Sequence, residues 1–86
     1  MDTEQAAARA RFDASIADQL STKRWAKPRH TLPELAEATG LSEQTVNRYL
    51  DGTRHPGLAH FLALCQALGL NTADVIAEAE RASASE

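Results

Sequence analysis

The sequence predicts an all-α fold, five helices in one compact domain over residues 1–81, with 82–86 as a frayed tail. Three observations predict it. β-Branched aliphatics are confined to Ile16, Val46, Val75 and Ile76, and no stretch alternates apolar and polar residues over strand length. Alanine, leucine, glutamate and glutamine dominate, all good helix formers. Glycines and prolines then cut the chain into short segments with helical apolar spacing.

The first helix is predicted from about Thr3 to Lys23. Its stripe of Ala8, Phe12, Ile16 and Leu20 repeats every four residues, and Asp13 and Asp18 fall off it. Trp25 is expected to fold back onto the core. Pro28 disfavours a helical conformation at Lys27, so Ala26 to His30 reads as a connection. The second helix opens at Thr31. Thr31 with Glu34 three residues on has the capping-box form, and Pro33 lies in the first turn, where a missing N–H costs little. Gly40 supplies a left-handed stop. One residue later Ser42 is the next N-cap, with Glu43 suited to the helix dipole. The third helix runs Ser42–Leu50, turns Val46, Tyr49 and Leu50 inward, and ends at Gly52. After the turn Thr53–Gly57, Leu58, Phe61, Leu62, Cys65 and Leu68 give a strongly amphipathic fourth helix closed by Gly69. Asn71 caps the fifth, with Val75, Ile76 and Ala79 facing inward.

Composition narrows the function classes. The chain has 86 residues, and 17 of its hydrophobic residues are alanines, so the core is small and a large interior substrate cavity is not expected. Cys65 is the sole cysteine, which excludes an intrachain disulfide and fits a reducing compartment. No apolar run approaches the roughly 18 residues of a membrane span. The start Met1-Asp2-Thr3-Glu4-Gln5 lacks both the basic and the apolar region of a secretory leader, so a cytoplasmic location is expected.

The formal net charge of −3 argues at first against nucleic acid as a partner, but its distribution is uneven. Residues 1–20 carry Arg9 and Arg11 against Asp2, Glu4, Asp13 and Asp18, a net of −2. Residues 21–60 carry Lys23, Arg24, Lys27, Arg29, Arg48 and Arg54 against Glu34, Glu37, Glu43 and Asp51, a net of +2. Residues 61–86 carry Arg81 against Asp74, Glu78, Glu80 and Glu86, a net of −3. Such a basic middle between acidic ends is informative about a partner, although short basic runs are also ordinary solvated surface.

Two short helices joined by Gly40-Leu41-Ser42 have the sequence form of a helix-turn-helix. The turn must hold the second helix steeply against the first, and Leu35, Ala36, Leu41 and Val46 must pack the pair into a wedge. The outer face of the second helix must then be polar. Here it reads Glu43, Gln44, Thr45, Asn47 and Arg48. Gln44 or Asn47 can bond adenine bidentately, Arg48 guanine, and Glu43 can accept from a cytosine amine. Nine residues span roughly 13 Å, which fits a major groove about 12 Å wide. Lys27 and Arg29 with His30 on one side, and Arg54 with His55 on the other, are placed for phosphates.

The run from Thr31 to Gly52, Thr-Leu-Pro-Glu-Leu-Ala-Glu-Ala-Thr-Gly-Leu-Ser-Glu-Gln-Thr-Val-Asn-Arg-Tyr-Leu-Asp-Gly, resembles the helix-turn-helix of the Cro/CI-type repressors, the XRE family of phage and bacteria. The resemblance continues through Thr53-Arg54-His55-Pro56 and Ala67-Leu68-Gly69-Leu70 into Asn71–Val75, covering roughly positions 16–80. It implies a compact five-helix, lambda-repressor-like DNA-binding domain, a transcriptional regulator and most simply a repressor, that reads double-stranded operator DNA in the major groove as a homodimer. By position it implies base reading by Glu43, Gln44 and Arg48, and Asn47 matches a position that touches backbone or bases, so the four form the expected base-reading set. Ser42 and Thr45 likewise match positions that touch backbone or bases, and Arg54 matches the loop that meets phosphate; with the basic flanks, the expected backbone-contacting set is Lys27, Arg29, Thr31, Ser42, Thr45, Arg54 and His55. Two departures stand out. Leu32 occupies a position where many members carry a phosphate-binding glutamine, and the connection Ser21 to His30 is longer and more basic than usual; Lys23, Lys27 and Arg29 are read as compensating.

The same residues admit other readings. A helix-turn-helix can serve protein contacts, as in an antitoxin-type regulator, or an architectural DNA binder. Tyr49 could stack on a base, but its spacing from Val46 makes it core. His30, His55 and His60 with Cys65 fit no zinc spacing, so no metal is expected. No nucleophile–base pair or paired carboxylates can be placed, so the chain is read as no enzyme, with no cofactor and no small-molecule substrate. Gly40, Gly52 and Gly69 are helix stops, not a phosphate loop. For the dimer, both the acidic fifth helix (Asp74, Glu78, Glu80) and the long first helix are candidate surfaces, with half-sites about 34 Å apart.

Overall fold

Over residues 3–84, which the computed structural model describes, the chain forms five helices: α1 (Thr3–Trp25), α2 (Leu32–Thr39), α3 (Glu43–Asp51), α4 (Leu58–Leu68) and α5 (Thr72–Ala84). There is no strand among these residues, and the all-α expectation holds. Met1, Asp2, Ser85 and Glu86, and with them part of the expected leader-free start and tail, lie outside the described residues.

The chemistry at each boundary explains the segmentation. Thr31 is an extended N-cap whose Oγ1 accepts from the Glu34 N–H (3.3 Å), while the Thr31 N–H donates to Glu34 Oε1 (2.8 Å). This reciprocal pair satisfies two orphan donors at once. The Glu34 carboxyl is held below its ordinary value of 4.5, first by the Thr31 amide and then by the Thr31 hydroxyl. Gly40 ends α2 at φ 76°, with its N–H donating to Ala36 O at 2.9 Å. Thr39 reinforces the stop: its hydroxyl donates to Leu35 O (2.7 Å) and accepts from the Leu41 N–H (3.3 Å). Ser42 then caps α3 by accepting from the Thr45 N–H at 3.1 Å, and Asn71 caps α5 by accepting from the Asp74 N–H at 3.0 Å.

One apolar cluster holds the helices together. Ile16 and Leu20 from α1, Leu35 from α2, Val46, Tyr49 and Leu50 from α3, Phe61, Leu64, Cys65 and Leu68 from α4, and Val75 and Ala79 from α5 are buried. No polar or charged residue is buried among them. α1 packs mainly against α5 and also meets α3 and α4, and α2 packs against both α3 and α4. Two side-chain bonds to backbone also tie α1 to α5: Gln19 Nε2 donates to Val75 O (2.9 Å) and an Arg11 terminal nitrogen to Ser83 O (2.6 Å).

Three expectations need correction. Trp25 does not fold back onto the core; α1 runs two residues past Lys23, and the indole lies at its end, 53% exposed. Arg24 and Arg29 lie over the ring, so guanidinium rather than core covers it. On α4, Leu58 and Leu62 point to solvent (70% and 44% exposed), and Leu64 is buried instead. That helix is apolar nearly all round, so periodicity does not single out a face, and packing on α1 and α2 selects it. Finally, α5 continues through Ala82, Ser83 and Ala84, where a frayed tail was expected, because the Arg11 bond to Ser83 anchors its last turn.

Two stability measurements follow. Gly40→Ala places a Cβ in open space, so its cost is the left-handed backbone alone, about 1–2 kcal/mol. Thermal unfolding should drop by roughly 4–8 °C per kcal/mol, and Gly40→Asn should lose less. Glu34 titrates at a lowered value in the folded chain, so its capping contribution is full above pH 4.5 and lost as pH falls through the folded value. The gap in melting temperature between the native chain and Glu34→Gln should be open at pH 7 and close toward pH 3; a gap independent of pH refutes this role for the carboxylate.

Candidate nucleic-acid interface

α3 presents the polar face. Val46, Tyr49 and Leu50 are buried on one side, and Glu43, Gln44, Asn47 and Arg48 are all exposed on the other, with Thr45 half-buried at the border. The division follows from the helical period: positions 46, 49 and 50 share a face, and 43, 44, 47 and 48 are what remains. Among the described residues, the side chains of Gln44, Asn47 and Arg48 make no hydrogen bond within the chain; Arg48 contributes only a long-range pull on the Asp51 carboxyl. They are free to bond a ligand.

The rigidity of this face comes from both ends of the helix. At the start, Ser42 Oγ donates to Thr45 Oγ1 (2.9 Å) besides accepting from the Thr45 amide. At the end, Gly52 is left-handed (φ 82°), and the carbonyl of Arg48 accepts from the amides of Gly52, Thr53 (3.1 Å) and Arg54 (3.3 Å). Asp51 Oδ1 accepts from the Thr53 hydroxyl (2.7 Å) and amide (2.9 Å), which hold its carboxyl below the ordinary range. Tyr49 is anchored below by a 2.8 Å bond from its Oη to His60 Nδ1 on α4. Tyr49 is thus a core residue with a polar tip, not a base-stacking one. His60 is one contact that the sequence did not point to, since nothing in its spacing relates it to Tyr49.

The residues expected to meet phosphate fall into two groups. Lys27, Arg29 and Arg54 are exposed, and none has an ion-pair partner among the described residues; Arg54 leans over the Tyr49 ring at 5.9 Å. Thr31, Ser42, Thr45 and His55 are engaged within the chain. Thr31 is bound to Glu34, whose carboxylate already occupies the N-terminus of α2. Ser42 and Thr45 are bound to each other. His55 Nε2 lies 3.5 Å from Asp13 Oδ2. His30, placed with the basic flank on sequence, has its Nδ1 buried without a hydrogen-bond partner. Arg24, by contrast, joins Arg29 over the Trp25 ring, at 4.3 and 5.3 Å. The Arg-Trp-Ala-Lys-Pro-Arg run, with its adjacent cations and aromatic, is the signal that could have placed it there.

Burial pushes the Cys65 thiol up, away from the thiolate form a nucleophile needs. Among the described residues, no three His, Cys, Asp or Glu side chains are grouped to hold a metal ion, and no single helix is long and apolar enough to cross a membrane. Open recesses among the described residues include an apolar one of about 290 Å³ between Phe12, Ile16, Tyr49, Pro56, Phe61 and Ile76, and one of about 640 Å³ along Ala10, Ala14, Ala17, Leu50 and Gly52; the His55–Asp13 pair borders both.

Curated proteins and solved structures give no match to this chain. A family model described as a helix-turn-helix domain matches residues 1–79, nearly the whole length and all five helices but the end of α5. With α2, the Gly40 turn and α3 already in that arrangement, the chain belongs to the helix-turn-helix domain family and carries its DNA-binding unit.

Proposed function

We propose that this protein is a sequence-specific regulator of transcription, most simply a repressor of the Cro/CI type, that reads double-stranded operator DNA through the major groove. The observation that carries the reading is the clean division of α3, with four exposed polar side chains over three buried ones. α3 enters the groove. Arg48 donates bidentately to guanine, Gln44 or Asn47 pairs with adenine, and Glu43 accepts from cytosine. Lys27, Arg29 and Arg54 neutralise phosphates on either side of the groove, giving affinity and register without sequence information. Ser42, Thr45 and His55 add backbone contacts through the donors their internal bonds leave, chiefly the Thr45 hydroxyl, whose oxygen accepts from Ser42 but whose proton is uncommitted, whereas both donors of Thr31 are committed to Glu34.

Nine helical residues read few base pairs, so the protein acts as a homodimer on two half-sites one helical turn apart, in the cytoplasm. The overall charge of −3 keeps affinity dependent on this one face and sensitive to salt.

Selection of bound sequences from a random duplex pool tests the reading directly: a defined, palindromic site is expected, and a pool without enrichment rejects it. On the selected site, Arg48→Ala should cost about 1–3 kcal/mol and relax preference at one base position. Lys27→Ala should weaken all sequences alike and lower the slope of log K against log salt by about 0.9. Unchanged operator preference on Arg48→Ala in a competition gel shift removes Arg48 from the reading set.

A further inference from the structure

A small chain with a limited core leaves its largest aromatic side chain half in solvent. Trp25 is 53% exposed, while residues as small as Ala79 are fully buried. The surroundings of the indole explain the choice. The guanidiniums of Arg24 and Arg29 lie over the ring, 4.3 and 5.3 Å from its centroid. The segment between them is closed on itself: the His30 N–H donates to Arg24 O (2.9 Å), Arg24 Nε donates to His30 O (3.1 Å), and the Ala26 N–H donates back to Thr22 O (3.1 Å). Lys27 stands exposed within the same loop. Among the described residues, no carboxylate forms an ion pair with Arg24, Lys27 or Arg29.

We propose that Arg24, Trp25 and Arg29 form a second DNA-contact site, a rigid clamp for a phosphodiester strand outside the recognition helix. This rests on the DNA-binding reading above and deepens it. A guanidinium stacked on an aromatic face directs its in-plane N–H groups outward past the ring edge, where they match the paired oxygens of a phosphate. Arg24 spends its Nε on His30, so its terminal nitrogens remain. Trp25 acts as a positioning residue: it removes in advance rotamer freedom that two long side chains would otherwise lose on binding.

The location fits a strand. The loop feeds directly into the N-cap of α2, the helix that in a docked helix-turn-helix crosses the DNA backbone. The usual route to a phosphate there, a free helix N-terminus, is closed, because the Glu34 carboxylate occupies it. Leu32 offers no polar side chain beside it. The anion site is displaced by a few residues, into the preceding loop.

Trp25 is the only tryptophan in the chain, so its fluorescence reports on this cluster alone. The full-length protein is titrated at low salt with a random-sequence 20-base-pair duplex, and quenching of Trp25 by iodide is measured with and without it. The expected results are a several-fold fall in quenching on duplex binding, and affinity about fivefold lower for Trp25→Ala, which loses two cation–π contacts but no charge. Trp25→Phe should recover most of that loss. Arg29→Gln should lower the salt slope by about 0.9. Circular dichroism melting should show all three variants folded, as expected of an exposed position. Quenching and Trp25→Ala affinity that do not change, while Arg48→Ala still relaxes operator preference, overturn the clamp and leave the recognition helix standing. Poly-glutamate protecting Trp25 better than duplex assigns the cluster to an acidic protein and also overturns it. No binding of any duplex overturns the clamp and the DNA-binding reading together.

Discussion

The left-handed turn at Gly40 is the constraint on which the molecule's functional geometry depends. Only Gly40, Leu41 and Ser42 separate the end of α2 from the start of α3, so the direction of α3 is fixed almost entirely by the backbone angles there. The turn is over-determined. The Gly40 amide, the Thr39 hydroxyl and the Ser42 hydroxyl each close a bond within five residues, and Leu35 and Val46 on either side belong to the same buried cluster. A flexible joint at this point would leave the polar residues of α3 correct in kind and wrong in place. Positioning of that sort is what a reading head needs, because bidentate base contacts are lost when donors move by an ångström or so.

The electrostatics follow a similar economy. The net negative charge sits mainly at the two ends of the chain, while the exposed cations cluster around the helix-turn-helix. Several hydroxyls that could have met phosphate are instead used to cap helices, which gives stability in a small core at the expense of external contacts. On the proposed reading, binding energy is thereby concentrated in a few guanidinium and ammonium groups. An interface of that kind associates quickly through steering and releases readily as ionic strength rises.

Much of this was legible in the residues themselves. The helix boundaries at Thr31, Gly40, Ser42, Gly52 and Gly69 could be read because each rests on local chemistry, a cap or a left-handed residue, that needs no knowledge of the rest of the fold. The polar face of α3 was legible for the same reason, since helical period alone sorts its residues. What could not be read depended on partners distant in sequence. The choice of Leu64 over Leu58 and Leu62 on α4 is made by α1 and α2, not by α4's own pattern. The persistence of α5 to Ala84 depends on Arg11, which bonds Ser83 across seventy-two residues of sequence. Trp25 was misplaced by the general rule that large aromatics are buried, which two arginines locally override. The bond between Tyr49 and His60 was invisible because both residues have unremarkable local settings.

The separation of α3 into buried and exposed sets has an evolutionary consequence. Val46, Tyr49 and Leu50 carry its share of folding, whereas the side chains of Gln44, Asn47 and Arg48 make no hydrogen bond among the described residues. Exchanging the latter three therefore removes no hydrogen bond among the described residues, and surface changes of that kind ordinarily shift stability by less than about 0.5 kcal/mol. Descendants of such a domain can drift to new target sites through single substitutions without passing through unfolded intermediates. The same property makes this helix a ready acceptor for grafted specificities.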